Sequence, residues 1–153
     1  MNSLLCTIII WGGMYYATPE WMSKQIPKCM WSEYEIYIVP YGTPLSSVKK
    51  NIDPKTTGLI GFSAGGLDVL KNYNKNYAFI GLIDPSTKQI HSKIDYGSNT
   101  FMVYNNKNWG SINPSLKKVS DQINNTGGKS TLVNLGHSSI PKYFFERHFK
   151  TKQ

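Results

Sequence analysis

Six short runs of apolar, largely β-branched or aromatic residues recur along the chain: LLCTIIIW (4–11), EIYIVPY (35–41), TGLIGF (57–62), YAFIGLI (77–83), TFMVY (100–104) and STLVNLG (130–136). Most are continuous rather than alternating. That is the pattern of strands buried on both faces, and a sheet with both faces covered is typically parallel. Parallel neighbours cannot be joined by tight hairpins, so each pair needs a crossover segment, usually a helix.

The intervening segments supply such helices. AGGLDVLKNYN (64–74) places Leu67, Leu70 and Tyr73 on one side, and NPSLKKVSDQINNTGG (113–128) does the same with Leu116, Val119 and Ile123. The second carries Pro114 near its start and Gly127 and Gly128 as a stop. PKYFFERHF (141–149) opens on Pro141 with an aromatic face, and PLSSVKKNI (44–52) is a weaker helical segment. Strand alternating with helix predicts an α/β fold: a three-layer α/β/α sandwich around a mostly parallel sheet of about six strands. With 153 residues, the chain is read as a single domain over 1–153. An aromatic fraction of 13% and a hydrophobic fraction of 40% exclude a disordered polypeptide. No internal repeat or low-complexity tract interrupts the pattern.

In an open parallel sheet, functional groups gather at the carboxyl ends of the strands. There the third run passes into a helix through GFSAGG, and Gly61, Ser63 and Gly65 spell G-x-S-x-G. Small residues on both sides let the chain turn tightly while the hydroxyl projects from the apex. Asp84 closes YAFIGLID and His137 closes STLVNLGH, each at the end of its own run.

These residues resemble the α/β-hydrolase fold, in which a nucleophile is followed in chain order by an acid and then a histidine. The resemblance implies Ser63 as nucleophile on an elbow framed by Gly61 and Gly65, with His137 as base and Asp84 as the carboxylate that orients it. It implies an oxyanion hole from the backbone N–H of Ala64 and a second donor in WGGM, Gly13 first and Met14 second. The family's acid more often follows the next strand, where this chain has Asn105 and Asn106; an amide there is an alternative orienter of the histidine. The first run corresponds to the family's third strand, so the match is to a reduced, lidless form of cutinase or esterase size with a shallow, exposed site.

What the resemblance implies functionally is a serine hydrolase, esterase- or lipase-like, that cleaves an ester, thioester or amide through an acyl-enzyme and needs no cofactor. A peptidase or an acyltransferase uses the same constellation, and a non-catalytic binding or structural protein on the same scaffold is the alternative from another class. The substrate is expected to be a small-molecule or surface-presented acyl compound.

The remaining candidates carry blander expectations. His148 lies on the last helical segment and is read as packing or surface, His91 lies in a polar stretch, and Asp95 and Asp121 are lesser candidates for the acid. Trp11, Trp21, Trp31 and Trp109 are each assigned to the core rather than to an acyl pocket. Cys6 is read as a small buried hydrophobe. With only Cys6 and Cys29, no disulfide framework is expected, and no spacing suggests a metal site. Asn124-Asn125-Thr126 fits a glycosylation acceptor but is read as a loop.

An excess of 17 Lys and Arg over 9 Asp and Glu gives a formal +8, which favours acidic partners. The lysines are scattered, without an aromatic-basic motif, so no specific nucleic-acid partner is expected. The opening MNSLLCTIIIWGG has neither a basic leader nor a cleavage site and is too short to span a bilayer. It is read as a buried strand, with no transmembrane segment and a cytoplasmic location expected. An uncovered edge strand leaves room for a homo-oligomer.

Overall fold

The structure, a computed structural model, describes residues 4–87, 94–105 and 116–149. Its centre is a six-stranded sheet of β1 (Thr7–Trp11), β2 (Glu35–Val39), β3 (Thr57–Phe62), β4 (Phe79–Ile83), β5 (Thr100–Tyr104) and β6 (Lys129–Leu132). The spatial order is β2-β1-β3-β4-β5-β6, and every neighbouring pair is parallel. All six apolar runs therefore form strands. β1, β2, β4 and β6 are shorter than their runs: Leu4 to Cys6 precede β1, β2 ends at Val39, β4 begins only at Phe79, and the chain leaves the sheet after Leu132.

Two separate cores follow from the period of two along each strand. Ile8 and Ile10 of β1, Ile60 and Phe62 of β3 and Ile83 of β4 face one layer, where they pack with Met22, Met30, Ile140, Phe144 and Phe145. Ile9, Trp11, Leu59, Ile80 and Leu82 face the other, against Val69, Leu70, Leu116, Val119 and Ile123. The first layer contains α1 (Pro19–Ser23), α2 (Lys28–Glu33) and the C-terminal α6 (Ile140–Phe149). The second contains α3 (Leu45–Val48), α4 (Gly65–Lys71) and α5 (Leu116–Asn125). Full burial of each large side chain contributes about 1.5–3 kcal/mol, so these two layers are the main stabilising feature of the fold.

Some details depart from the sequence expectation. Helices α1 and α2 were not anticipated, although the first has a clear start: the Thr18 hydroxyl accepts from the Trp21 N–H at 3.2 Å and Pro19 occupies the first turn. Helix α3 is only four residues long, because at Lys49 the backbone is already extended and its ammonium reaches Glu35 at 2.7 Å. Cys6 is exposed rather than buried, since it precedes β1 and its thiol turns back on the Leu4 carbonyl at 3.3 Å. Trp31 is also exposed, lying on the outer side of the short α2, whereas Trp11 is fully buried with its indole N–H on the Thr43 carbonyl at 2.9 Å. Trp109 and His91 lie outside the described residues. Among those described, no helix is long and apolar enough to cross a membrane.

The direction of the strands fixes where a site can form. From β1 the chain crosses to β2 on one side, and from β3 it crosses to β4 on the other. The carboxyl ends of β1 and β3, paired at Trp11 and Gly61, therefore flank a topological switch point. The two departing connections diverge there and leave a crevice.

His148 is held among the rings of Phe79, Phe101 and Phe144, with its centroid 4.6 Å from that of Phe144. Burial first, and then the charge of Arg147, pushes its pKa down to about 4. The unfolded chain, with an ordinary histidine near pH 6.5, then binds more protons than the folded one between those values. Stability should fall as pH drops from about 6.5 to about 4 and level off below. In His148→Leu this component of the slope should disappear, which urea midpoints at pH 7 and pH 4.5 for both proteins will show.

Candidate active site

The turn from β3 into α4 is built from contacts too close for side chains. A Cβ at Gly61 would lie 2.2 Å from the Gly65 carbonyl oxygen, and one at Gly65 would lie 2.4 Å from the Trp11 carbonyl oxygen. Glycine is therefore required at both positions for steric reasons. Between them Ser63 adopts φ +56°, a left-handed conformation that costs a non-glycine residue about 1–2 kcal/mol. The strain is held by pairing on the β4 side. The Ser63 N–H donates to Ile83 O at 3.0 Å, and the Ser63 carbonyl accepts from Gly66 at 3.0 Å and from Ser86 at 2.8 Å. The apex of the turn therefore cannot relax without breaking the sheet edge beside it.

Asp84 is the next residue beyond β4 and is fully buried, with φ +39°. Its own N–H continues the ladder to Val103 O at 2.7 Å. One carboxylate oxygen accepts from the Asn105 N–H at 3.0 Å, and the other faces His137 Nδ1 at 2.5 Å. A ring that donates its Nδ1 proton to this carboxylate keeps Nε2 as its acceptor. His137 opens a short 3-10 turn, His137–Ser139, and its ring lies 4.6 Å from that of Phe62 at 30°. Behind Phe62 stacks Trp21, at 5.7 Å, and Tyr16 meets Trp21 edge-on at 5.0 Å. An aromatic column thus runs from α1 to the imidazole.

Ser63 and His137 line one cavity of about 150 Å³ together with Met14, Tyr15, Tyr16 and Phe62. Burial, and then the charge of Asp84, pushes the Tyr16 phenol above its ordinary range, so it remains a neutral hydroxyl at physiological pH. In the loop after β1 the Gly13 N–H donates to the Ala17 carbonyl at 3.0 Å. Among the described residues, neither the Met14 N–H nor the Ala64 N–H has a hydrogen-bond partner. Gly13 itself packs against the serine, where a Cβ would lie 3.1 Å from that of Ser63.

The structure thus brings together Ser63, His137 and the Met14 loop around one cavity, with Asp84 bonded to the imidazole from behind. Asn105 stands close to both the acid and the histidine loop. Its backbone N–H holds Asp84, and its side-chain amide donates to the Leu135 carbonyl, two residues before His137. It thereby bridges the acid to the histidine loop. Asn106 lies outside the described residues. Asp95 and Asp121 are exposed, the latter 3.5 Å from Lys117. Sequence reasoning missed Tyr15, Tyr16, Phe62 and the supporting Trp21; the aromatic pair directly after WGGM was the available signal. Compared with known proteins, the chain matches no family model and no curated protein sequence.

Glycine's role in the turn can be measured against a neighbour that lacks it. Gly65→Ala, which sets a methyl group against two backbone carbonyls, should lower the unfolding free energy by about 1–3 kcal/mol. Gly136→Ala, where a Cβ meets nothing within 4 Å and φ is −62°, should stay within about 0.5 kcal/mol. Parallel urea denaturation curves decide it.

Proposed function

We propose that the protein is a serine hydrolase of reduced α/β-hydrolase type that cleaves an ester or thioester through a covalent acyl-enzyme, with Ser63 as nucleophile, His137 as general base and acid, and Asp84 as orienting carboxylate. The observation that carries this reading is the pairing of His137 Nδ1 with the buried Asp84 carboxylate at 2.5 Å, on the cavity that the left-handed Ser63 also lines. The strand order supports it, because the proposed nucleophile sits beside the switch point of the sheet.

A serine hydroxyl is a weak nucleophile at neutral pH, so its proton must leave as its oxygen attacks the substrate carbonyl carbon. His137 Nε2 accepts that proton, and the Asp84 charge stabilises the resulting imidazolium. The carbonyl π electrons move onto oxygen, and the tetrahedral oxyanion is held by the Ala64 N–H and the Met14 N–H, neither of which has a hydrogen-bond partner among the described residues. Met14 takes precedence over Gly13 here, because the Gly13 N–H is occupied by Ala17. Collapse of the intermediate breaks the bond to the leaving group, which takes the proton from His137. Water, activated by the same imidazole, then attacks the acyl-serine and releases the acid. Loss of one oxyanion donor costs such a reaction about 2.7–4 kcal/mol in barrier.

A fluorophosphonate probe tests the reading directly. The wild-type chain should be labelled stoichiometrically at Ser63, as located by peptide mapping. Ser63→Ala and His137→Ala should not label, and Asp84→Asn should label slower by about 10⁴-fold. A folded wild-type chain that takes no label at Ser63 would transfer the case to a non-catalytic binding protein on this scaffold.

A further inference from the structure

Among the described residues, the non-glycine positions with positive φ are Tyr15 at +60°, Ser63 at +56° and Asp84 at +39°. Two of these belong to the proposed catalytic set. The third lines the same cavity, and its side chain is 88% exposed. A bulky residue with left-handed backbone is an outlier that glycine or asparagine would relieve. At 88% exposure the ring gains almost nothing from burial in return, so the fold supplies no compensation for placing a tyrosine there. Retained strain of this kind concentrates at positions that contact ligands.

The surroundings define the ligand. Met14 and Tyr16 flank Tyr15 and are themselves 45% exposed, so three large side chains in sequence stand open to solvent around Ser63 and His137. With Phe62 they give the cavity a largely apolar wall. Its volume of about 150 Å³ lies below the ~300–1,000 Å³ of pockets that take drug-sized ligands, which suits a short acyl group. A fatty acyl chain would leave most of its length outside.

We infer that the Met14–Tyr16 segment is the acyl-selecting wall of this site, that Tyr15 is its specificity-determining residue, and that the acyl group accepted is short. This rests on the acyl-enzyme reading given above. The cavity holds the acyl chain, and a longer chain must run out past the exposed Tyr15 ring at its rim.

The test is a series of p-nitrophenyl esters, from acetate through butanoate to octanoate and dodecanoate, on the wild-type chain, Tyr15→Gly and Tyr15→Asn, with melting temperatures in parallel. Wild type should prefer butanoate to octanoate by about tenfold or more in kcat/KM, since a few misplaced methylenes are worth that much in a defined pocket. Both variants should reduce that preference to about threefold or less and melt at or above the wild-type temperature, because both residues tolerate a left-handed backbone. A structural tyrosine would give the opposite pair, a lower melting temperature with selectivity intact, and would overturn the inference. Wild type that hydrolyses octanoate as fast as butanoate overturns it too, while leaving the acyl-enzyme reading in place. No hydrolysis of any ester, with no fluorophosphonate label at Ser63, removes both together.

Discussion

The structure depends on the approach of two backbones. The carbonyl oxygen of Trp11, at the end of β1, lies where a side chain of Gly65 would begin. That single contact sets how closely α4 can settle on the sheet and, with it, the sharpness of the turn at Ser63. Everything at the carboxyl end of the sheet takes its position from there. The strained serine is held from one side by this close packing and from the other by hydrogen bonds to Ile83 and Ser86 of the neighbouring β4 segment. Strain of this order persists only where the surroundings overdetermine the conformation, and here they do.

From that point the site is assembled outward by rigid pieces. Asp84 follows β4 directly and is fixed by Val103 and Asn105, both contributed from the end of β5. Asn105 continues to Leu135 and so ties the acid to the segment that carries His137. The imidazole is supported on its face by Phe62, which belongs to β3, and Phe62 in turn by Trp21 of α1. Asp68, one turn into α4, receives the Gly42 N–H on both carboxylate oxygens, at 3.0 and 2.9 Å, and anchors the loop beyond β2 to the same helix. Preorganised geometry of this kind is what electrostatic stabilisation in an active site requires.

Much of this was legible from the residue order. Continuous apolar runs announced all six strands because a strand buried on both faces leaves no room for polar alternation. Ser63 and Asp84 were legible as strand-end residues, whereas β6 ends at Leu132 and His137 is carried on a separate 3-10 turn beyond it. Other features were not. Helices α1 and α2 are too short to show a hydrophobic period, and only the Thr18-Pro19 start signals the first. Whether Gly13 or Met14 offers a donor turns on one hydrogen bond to Ala17, made by a turn whose shape has no signature in the residues themselves. The exposure of Tyr15, Cys6 and Trp31 was equally hidden, because composition ranks these types as buried and only the packing reveals which ones lack a neighbour.

The site draws on residues from Met14 to His137, contributed by loops after β1, β3, β4 and β6. No contiguous fragment of the sheet contains more than part of it. Parallel pairings of high sequence separation form slowly, and during synthesis the chain emerges from its N-terminal end. The proposed nucleophile and oxyanion loop therefore leave the ribosome well before His137. Under the proposed mechanism, a partly synthesised or truncated chain would leave Ser63 unarmed, and chemical reactivity at Ser63 would require β6 to have closed onto β5.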